Sequence, residues 1–371
     1  MIPLPKPGKP KGPVKNLRPI ILFSVLRKIL AIIVVQRTFK QIRRNIDISQ
    51  AAYSPGRSTT ELVFTFKILI EKAICAEDFT VHLLLLDMLR AFDTIDRGTL
   101  LHELSSIIEP DELHLVSLLL TDVQLQVNLN NVKGNIFKPD IGSPQGDCAS
   151  PIWFIFYLNQ ALQSVKSDIQ NSKSPTLDLL HDHPYHKAVE KDRKKVPKGQ
   201  SDFCIDQQYA DDASWATTKE TSKEEIKTKA PQKLKENNLL VNEDKTEEFE
   251  VTRKGNTDWK NCKLLGSLLG NTEDIKRRKQ LASAAFANNK KVLCSKEISL
   301  RIRIRVFVAL ISSVFLYNSE LWILSRKKQK KLTHSKDPSS DKLFVPGTYQ
   351  TNDFTKRVVL NRGQKQSKDR D

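Results

Sequence analysis

The chain has 371 residues, enough to bury a sizeable core divided among two or three subdomains. Its 60 lysines and arginines outnumber its 43 acidic residues, and the net charge of +17 favours polyanionic partners, although other basic proteins carry a similar excess. The five cysteines are scattered without a Cys-x-x-Cys pair. This pattern argues against a disulfide scaffold and indicates reduced thiols in an intracellular protein of the nucleus or cytoplasm.

The N-terminal region combines a basic arm with an apolar segment. Residues 1–18 are rich in proline and lysine, which excludes the apolar core of a signal peptide and predicts an extended arm. Residues 20–35 are apolar, but Arg27 and Lys28 interrupt them well short of the ~20 residues of a membrane span. We expect a buried or amphipathic helix here and no membrane association.

Two turns that lead into helices follow. The run Ala52-Tyr53-Ser54-Pro55-Gly56-Arg57-Ser58 combines a turn with a helix start. A helix N-terminus favours anions, so Arg57 could meet a phosphate there, or the stretch is a plain surface turn. The second turn, over 142–146, precedes an apolar helix over 152–158, and Gly146 allows another chain to approach closely.

Two acidic stretches are placed as a phosphoryl-transfer site requires. Residues 83–86 are an apolar run that ends at Asp87, as in a buried strand with a carboxylate at its end. The run Tyr209-Ala210-Asp211-Asp212 predicts a hairpin turn that projects two carboxylates from one tip. Together the carboxylates can hold two divalent ions roughly 3.5–4 Å apart. The alternatives are a solvated turn at 211–212 and a core strand that merely ends at Asp87.

The remaining segments are predicted from their composition. Residues 164–200 are charged and broken by prolines, which predicts a surface excursion, and a zinc site at 181–186 lacks the second cluster that tetrahedral ligation needs. Residues 271–326 alternate apolar and basic residues at helical spacing. Residues 327–371 have the composition of a disordered tail.

Five motifs follow one another along the chain: Leu86-Asp87-Met88-Leu89-Arg90-Ala91-Phe92-Asp93, Gly142-Ser143-Pro144-Gln145-Gly146-Asp147-Cys148-Ala149-Ser150-Pro151, Tyr209-Ala210-Asp211-Asp212, Asn242-Glu243-Asp244-Lys245-Thr246-Glu247 and Leu264-Leu265-Gly266-Ser267. In this order they resemble the reverse transcriptase domain of a non-LTR (LINE-type) retrotransposon, from the N-terminus to about Arg326. The resemblance implies an α+β right-hand polymerase. Its parts would be a basic arm and fingers (1–80), a palm with an antiparallel sheet (81–270), a helical thumb-like region (271–326) and the tail (327–371).

The resemblance also implies a reaction and the residues that perform it. An RNA-directed DNA polymerase, a nucleotidyltransferase, adds deoxynucleoside triphosphates to the 3′ end of a DNA primer on an RNA template. It uses two Mg²⁺ ions, for which Mn²⁺ can substitute. Asp87 and Asp211 would bridge both ions, Asp212 would support the tip and ligate weakly, and Lys245 would protonate the pyrophosphate leaving group. The nucleotide-binding residues would be Arg57, Phe92 beside the sugar 2′ position, Gln145 and Gly146. The nucleic-acid-binding residues would be Arg301, Arg303 and Arg305.

Two other functions stay open at this point. Ser54 stands where similar proteins usually have a basic residue, and neither an endonuclease nor a zinc knuckle fits in the chain. Both departures favour a remnant that only binds nucleic acid, whereas the intact carboxylates favour catalysis. An RNA-primed or RNA-synthesising polymerase is the other alternative, and the aromatic Phe92 counts against RNA synthesis.

Overall fold

The computed structural model describes residues 1–323 except 7–9, 11, 77–78, 122, 130 and 169–202. The chain divides into two compact units, Met1–Trp259 and Lys260–Asp371. Within the described ranges, no helix combines the length and the apolar character needed to cross a bilayer. The cluster at 181–186 and the tail at 327–371 lie outside the described residues.

The N-terminal unit is built from antiparallel strands and helices. Its strands are β1 (Ile2–Pro5), β2 (Leu17–Ile20), β3 (Val81–Leu86), β4 (Met88–Leu89), β5 (Leu125–Leu129), β6 (Val132–Phe137), β7 (Cys204–Tyr209), β8 (Asp212–Thr217), β9 (Leu240–Val241) and β10 (Glu247–Val251). Its helices are α1 (Val25–Arg44), α2 (Thr59–Cys75), α3 (Ala91–Thr94), α4 (Arg97–Ser105), α5 (Pro110–Thr121), α6 (Ser150–Asp168) and α7 (Glu220–Glu236).

A four-stranded antiparallel sheet in the order β10-β3-β8-β7 forms the centre of this unit. β3 lies between two neighbours, where Leu83 pairs with Ala216 of β8 and with Phe249 of β10. A central strand that is buried on both faces needs apolar residues at consecutive positions, and the four leucines of β3 supply them. The strand therefore delivers Asp87, the residue after Leu86, to one end of the sheet.

Helices α6 and α7 complete the core around this sheet. Trp153, Phe154 and Phe156 of α6 are fully buried, as expected for a helix that is apolar on all sides. α7 is charged overall, but Ile226, Ala230 and Leu234 recur at helical spacing and are buried. α7 packs on β3, β8 and α6, so one apolar stripe connects the sheet to the buried helix.

The N-terminal arm and α1 flank this core. β1 pairs with β2, with Leu4 opposite Arg18. The expected helix begins at Val25, after the N-cap Ser24, and continues to Arg44. It buries one stripe at helical spacing, Ala31, Val34, Thr38 and Ile42, and leaves other apolar side chains of α1, such as Ile29 and Ile32, exposed.

The C-terminal unit is a strand pair followed by helices. Its elements are β11 (Lys263–Leu264), β12 (Ser267–Leu268), α8 (Asn271–Leu293), α9 (Leu300–Phe307), a π-helical turn (Val308–Ser312) and α10 (Ser313–Phe315). The two units divide after Trp259, so residues 260–270, predicted as part of the palm, belong to the C-terminal unit. The physical reason is local bonding: the backbone N–H of Leu268 donates to Asp274 Oδ1 of α8 at 2.9 Å.

The surface excursion also begins later than the predicted residue 164. α6 continues to Asp168, because Leu162 and Val165 are fully buried and hold its last turns against the core. The rest of the predicted excursion, from 169 to 200, lies outside the described residues.

Candidate active site

Asp87 sits where the end of β3 meets the segment after β9. Met88 of β4 pairs with Val241 of β9, and the backbone N–H of Asn242 donates to the Asp87 carbonyl at 2.7 Å. The Asp87 carboxylate atom Oδ2 accepts a hydrogen bond from Asn242 Nδ2 at 3.0 Å. The ammonium of Lys245 lies 2.9 Å from the same oxygen. Lys245 therefore lies beside an acidic residue at a strand end, as predicted. Asn242 is a second hydrogen-bond partner of Asp87, which the sequence did not indicate.

Asp211 lies in the turn between β7 and β8. Tyr209 pairs with Asp212, so Ala210 and Asp211 are the two turn residues and Asp212 is the first residue of β8. Ala210 has a φ of 54°, whereas Asp211 is not among the residues with positive φ. A positive φ at the first central residue is characteristic of the turns that join two-residue hairpins, which the sequence predicted only as a tight turn.

The charges of the two acidic stretches act on each other. Burial raises the pKa of Asp211, and the negative charge of Asp87 adds to the rise. A hydrogen bond from a backbone N–H lowers the pKa of Asp211, as do the charges of Lys245 and Arg18. The strand pairing explains why Asp87 lies near the turn. Leu86 pairs with Ala213, so the residues that follow in the antiparallel register are Asp87 and Asp212, and Asp212 is the neighbour of Asp211. The fold thus brings together acids that are far apart in the chain.

A divalent ion is the partner that this pair of carboxylates suits. Hard cations prefer carboxylate oxygens, and a cation between Asp87 and Asp211 would offset the repulsion that raises the Asp211 pKa. Among the described residues, however, no group of three or more histidine, cysteine or acidic side chains is arranged to hold a metal ion. The structure therefore brings Asp87 and Asp211 together, while the side chain of Asp212 is exposed at the start of β8 and does not complete such a group.

Phe92 and Gln145 lie on two segments that are hydrogen-bonded to each other. The Phe92 ring stacks on Phe154 of α6 with a centroid distance of 4.0 Å, and its carbonyl accepts a hydrogen bond from Ser143 N at 2.8 Å. Gln145 Nε2 donates to Asp93 Oδ1 at 2.9 Å. Burial raises the pKa of Asp93, which the hydrogen bond from Gln145 partly counteracts. The turn at 142–146 is thus attached to the segment that follows Asp87.

Gly146 is needed for a close contact within the chain. Its φ is +111°, and a Cβ at this position would collide with the carbonyl oxygen of Ile21. The backbone N–H of Ile21 donates to the Gln145 carbonyl at 2.8 Å. The sequence predicted that another chain approaches the backbone closely at Gly146. In the structure, the segment around Ile21 of the same protein lies there.

Comparison with known proteins identifies the family. Residues 4–269, more than half of the chain, match the family described as reverse transcriptase (RNA-dependent DNA polymerase). The chain belongs to the reverse transcriptase family. Its members are RNA-directed DNA polymerases, a class of nucleotidyltransferase, as the five motifs predicted. The family match and the antiparallel central sheet confirm the predicted α+β right-hand polymerase fold, and we call the β10-β3-β8-β7 sheet the palm sheet.

Solved structures with similarity to this chain include telomerase and a viral polymerase. Telomerase from Candida tropicalis in complex with a TWJ fragment of telomeric RNA has 12% identity and a TM-score of 0.44, over 91% of this chain and 54% of that one. The RNA-dependent RNA polymerase from bacteriophage phi12 has 12% identity and a TM-score of 0.35, over 83% of this chain and 47% of that one. The chain thus spans about half the length of these proteins.

Arg57 is held by residues of its own unit. Its Nε donates to Glu61 Oε2 at 2.7 Å, and its Nη1 donates to the Ile48 carbonyl at 2.8 Å. Arg57 precedes α2, as predicted, and its guanidinium joins the start of this helix to the segment before the turn. A phosphate bound at the start of α2 would have to share the Arg57 guanidinium with Glu61 and the Ile48 carbonyl.

The three arginines of α9 do not share one face. The side chains of Arg301 and Arg305, one helical turn apart, are exposed. Arg303 is half-buried and its Nη1 donates to the Leu293 carbonyl at the end of α8, at 3.4 Å. The predicted cluster is therefore an exposed pair, Arg301 and Arg305, and a third arginine whose contact is internal to the C-terminal unit.

Proposed function

We propose that the protein is an RNA-directed DNA polymerase of the non-LTR retrotransposon type. It extends the 3′ end of a DNA primer with deoxynucleotides on an RNA template. The observation that carries this proposal is the approach of Asp87 to Asp211 at the end of the palm sheet, with the Lys245 ammonium 2.9 Å from Asp87. The order of the five motifs supports the non-LTR assignment.

In this proposal the acidic residues form the catalytic centre. Asp87 and Asp211 would hold two Mg²⁺ ions, and Asp212 would support the turn from the start of β8. When bound, divalent ions lower the barrier to phosphoryl transfer by activating the attacking oxygen and stabilising the leaving one. The hydrogen bond between the Lys245 ammonium and Asp87 supports a role for Lys245 as the group that would give a proton to departing pyrophosphate.

The incoming nucleotide would be recognised on the surface formed by Phe92 and Gln145. The Phe92 ring is restricted in its movement, because it stacks on the fully buried Phe154. A fixed ring at this position would exclude a ribose 2′-hydroxyl by steric contact. Gln145, held by Asp93, would orient the nucleotide or the template base. Gly146 and Arg57 would act indirectly, by fixing the backbone around this surface.

The C-terminal unit would bind the primer–template duplex through its charges. Arg301 and Arg305 are exposed one turn apart on α9, a spacing that suits neighbouring phosphates. We further infer an intracellular location, in the nucleus or cytoplasm, from the absence of disulfides among the described residues, in which all five cysteines are free.

Primer extension tests the proposal. The full chain is incubated with oligo(dT) annealed to poly(rA), thymidine triphosphate and Mg²⁺, and the products are measured by length. The parent should extend the primer, Asp211→Asn should not, and Asp140→Asn should extend it as the parent does, because Asp140 is an exposed acid in a different loop. Extension by Asp211→Asn at the parent rate would refute the assignment of the site.

A protein that only binds nucleic acid is the second candidate, favoured by the net charge of +17 and by Ser54. Ser54 is buried and its hydroxyl donates to the Ala52 carbonyl at 3.1 Å, so it offers no cationic contact to a phosphate. Salt-dependent binding of primer–template by a parent protein that extends nothing would establish this second function.

A further inference from the structure

Gln50 connects the first region of the chain to the acidic turn. It is fully buried, and 160 residues separate it from Ala210 in sequence. The Gln50 Oε1 accepts a hydrogen bond from the backbone N–H of Ala210 at 3.1 Å and another from Ala52 N at 3.0 Å. Its Nε2 donates to the Ala210 carbonyl at 3.3 Å. One side-chain amide therefore satisfies both backbone polar groups of a single turn residue.

The residue that Gln50 holds is conformationally costly. Ala210 has a φ of 54°, in the left-handed region that residues with a Cβ rarely adopt, at a cost of roughly 1–2 kcal/mol. The Ala210 carbonyl also belongs to the peptide group that joins Ala210 to Asp211. Fixing this peptide group restricts the direction in which the Asp211 side chain leaves the turn.

Gln50 is itself anchored to the palm sheet. Its segment bridges β7, with the Ala51 N–H donating to the Gln208 carbonyl and the Gln208 N–H donating to the Ser49 carbonyl, both at 3.0 Å. The Lys166 ammonium of α6 lies 3.1 Å from the Ser49 hydroxyl and contacts Asp206 of β7. The side-chain amide of Gln50 thus projects from a segment that is attached to both the sheet and α6.

We propose that Gln50 is a positioning residue, which fixes the Ala210 peptide groups and thereby the direction of the Asp211 carboxylate. This inference rests on the proposed function, in which Asp211 serves catalysis. Gln50 itself contacts neither the substrate nor the reacting atoms. Its loss should lower the turnover number, kcat, more than it raises the KM for nucleotide, because a misplaced carboxylate affects chemistry more than substrate binding.

Two variants of Gln50 and one matched control test the proposal in the full chain. Gln50→Met keeps the length of the side chain and removes its three hydrogen bonds, two to Ala210 and one to Ala52. Gln50→Glu can reproduce them only when its carboxyl group is protonated. Gln208→Met is the control, because Gln208 is equally buried and lies on the same bridge, but its amide donates to Asp206 rather than to the turn.

The expected result has three parts. Gln50→Met should lose about a hundredfold in kcat, as a misplaced catalytic group does, while Gln208→Met keeps kcat within a few-fold of the parent. For Gln50→Glu, the ratio of parent to variant kcat should approach one as the pH is lowered and increase as the pH rises. Hydrogen exchange of the Ala210 amide should accelerate in Gln50→Met and not in Gln208→Met, under conditions where circular dichroism shows both proteins to be folded.

Contrary outcomes are distinguishable. A folded Gln50→Met with parental kcat and parental exchange at Ala210 would overturn the positioning role. Equal loss of kcat in Gln50→Met and Gln208→Met would also overturn it, because the cause would then be general damage to the core. If the parent extends no primer, the proposed function fails, whereas the exchange rate of the Ala210 amide still decides whether Gln50 holds the turn.

Discussion

The ammonium of Lys245 lies 2.9 Å from Asp87 Oδ2, although 158 residues separate the two in sequence. The contact exists because β9 pairs with β4 and carries the chain directly into the short helical turn of Glu243–Lys245. The side chain of Lys245 is 60% exposed, so this ion pair stabilises the fold by at most about 1 kcal/mol. Folding therefore gives little reason for its position beside Asp87, whereas the proposed reaction gives one.

Lys245→Met should therefore separate activity from stability. We expect extension to slow by about a hundredfold, the lower range for loss of a general acid, with little change in the unfolding temperature. Single-turnover rates and thermal denaturation measure the two effects. Lys254→Met is the control, because Lys254 is an exposed lysine in another loop of the same unit and should leave both quantities unchanged. A parental rate for Lys245→Met would remove this lysine from the proton transfer.

Asp211→Asn should stabilise the protein at neutral pH in the presence of a chelator. Burial and the charge of Asp87 raise the pKa of Asp211, so the folded state favours its protonated form. The corresponding stability is fully present below the unfolded pKa and is lost as the pH rises through the folded pKa. The unfolding temperature of Asp211→Asn should exceed that of the parent at pH 7, and the difference should shrink as the pH is lowered.

Mg²⁺ should change the unfolding temperatures of the parent and of Asp211→Asn by different amounts. A cation that binds only the folded state stabilises it, by about 2.7 kcal/mol at a concentration one hundred times the dissociation constant. Mg²⁺ should raise the unfolding temperature of the parent and have a smaller effect on Asp211→Asn, which lacks one carboxylate. An identical Mg²⁺ response in both proteins would place the ion elsewhere.

The sequence predicted the acidic parts of the site because they obey local rules. An apolar run that stops at Asp87 indicates a central strand, and an acidic turn between apolar flanks indicates a hairpin. The contact of Gln50 with the acidic turn is not local, because Ala210 lies 160 residues away and a single glutamine has no periodicity. Arg303 lies on the other side of α9 from Arg301 and Arg305, because residues two apart on a helix face opposite sides, as the spacing of the three arginines already indicated.

Phe92→Ala should weaken discrimination against ribonucleotides. The ring stacks on Phe154, so its removal opens space beside the path of the sugar and leaves the deoxynucleotide contacts in place. The measurement is the ratio of kcat/KM for deoxynucleotide and ribonucleotide, which should fall by at least about tenfold, or 1.4 kcal/mol. Phe92→Tyr keeps a ring of similar width and should retain the parental ratio. Unchanged discrimination in Phe92→Ala would assign the selection to another residue.

The arginines of α9 should separate nucleic-acid binding from folding. Replacing the exposed pair, Arg301 and Arg305, by glutamine should weaken primer–template binding and flatten the salt dependence. Each duplex phosphate contact that is lost reduces the slope of log affinity against log salt by about 0.9. Arg303→Gln should instead leave this slope unchanged and lower the stability of the C-terminal unit by roughly 1 kcal/mol, because Arg303 donates to the Leu293 carbonyl at the C-terminus of α8. Titrations at several salt concentrations, together with thermal denaturation, measure both effects. If Arg303→Gln flattened the slope as much as the pair did, the division of α9 into an exposed binding face and an internal face would be wrong.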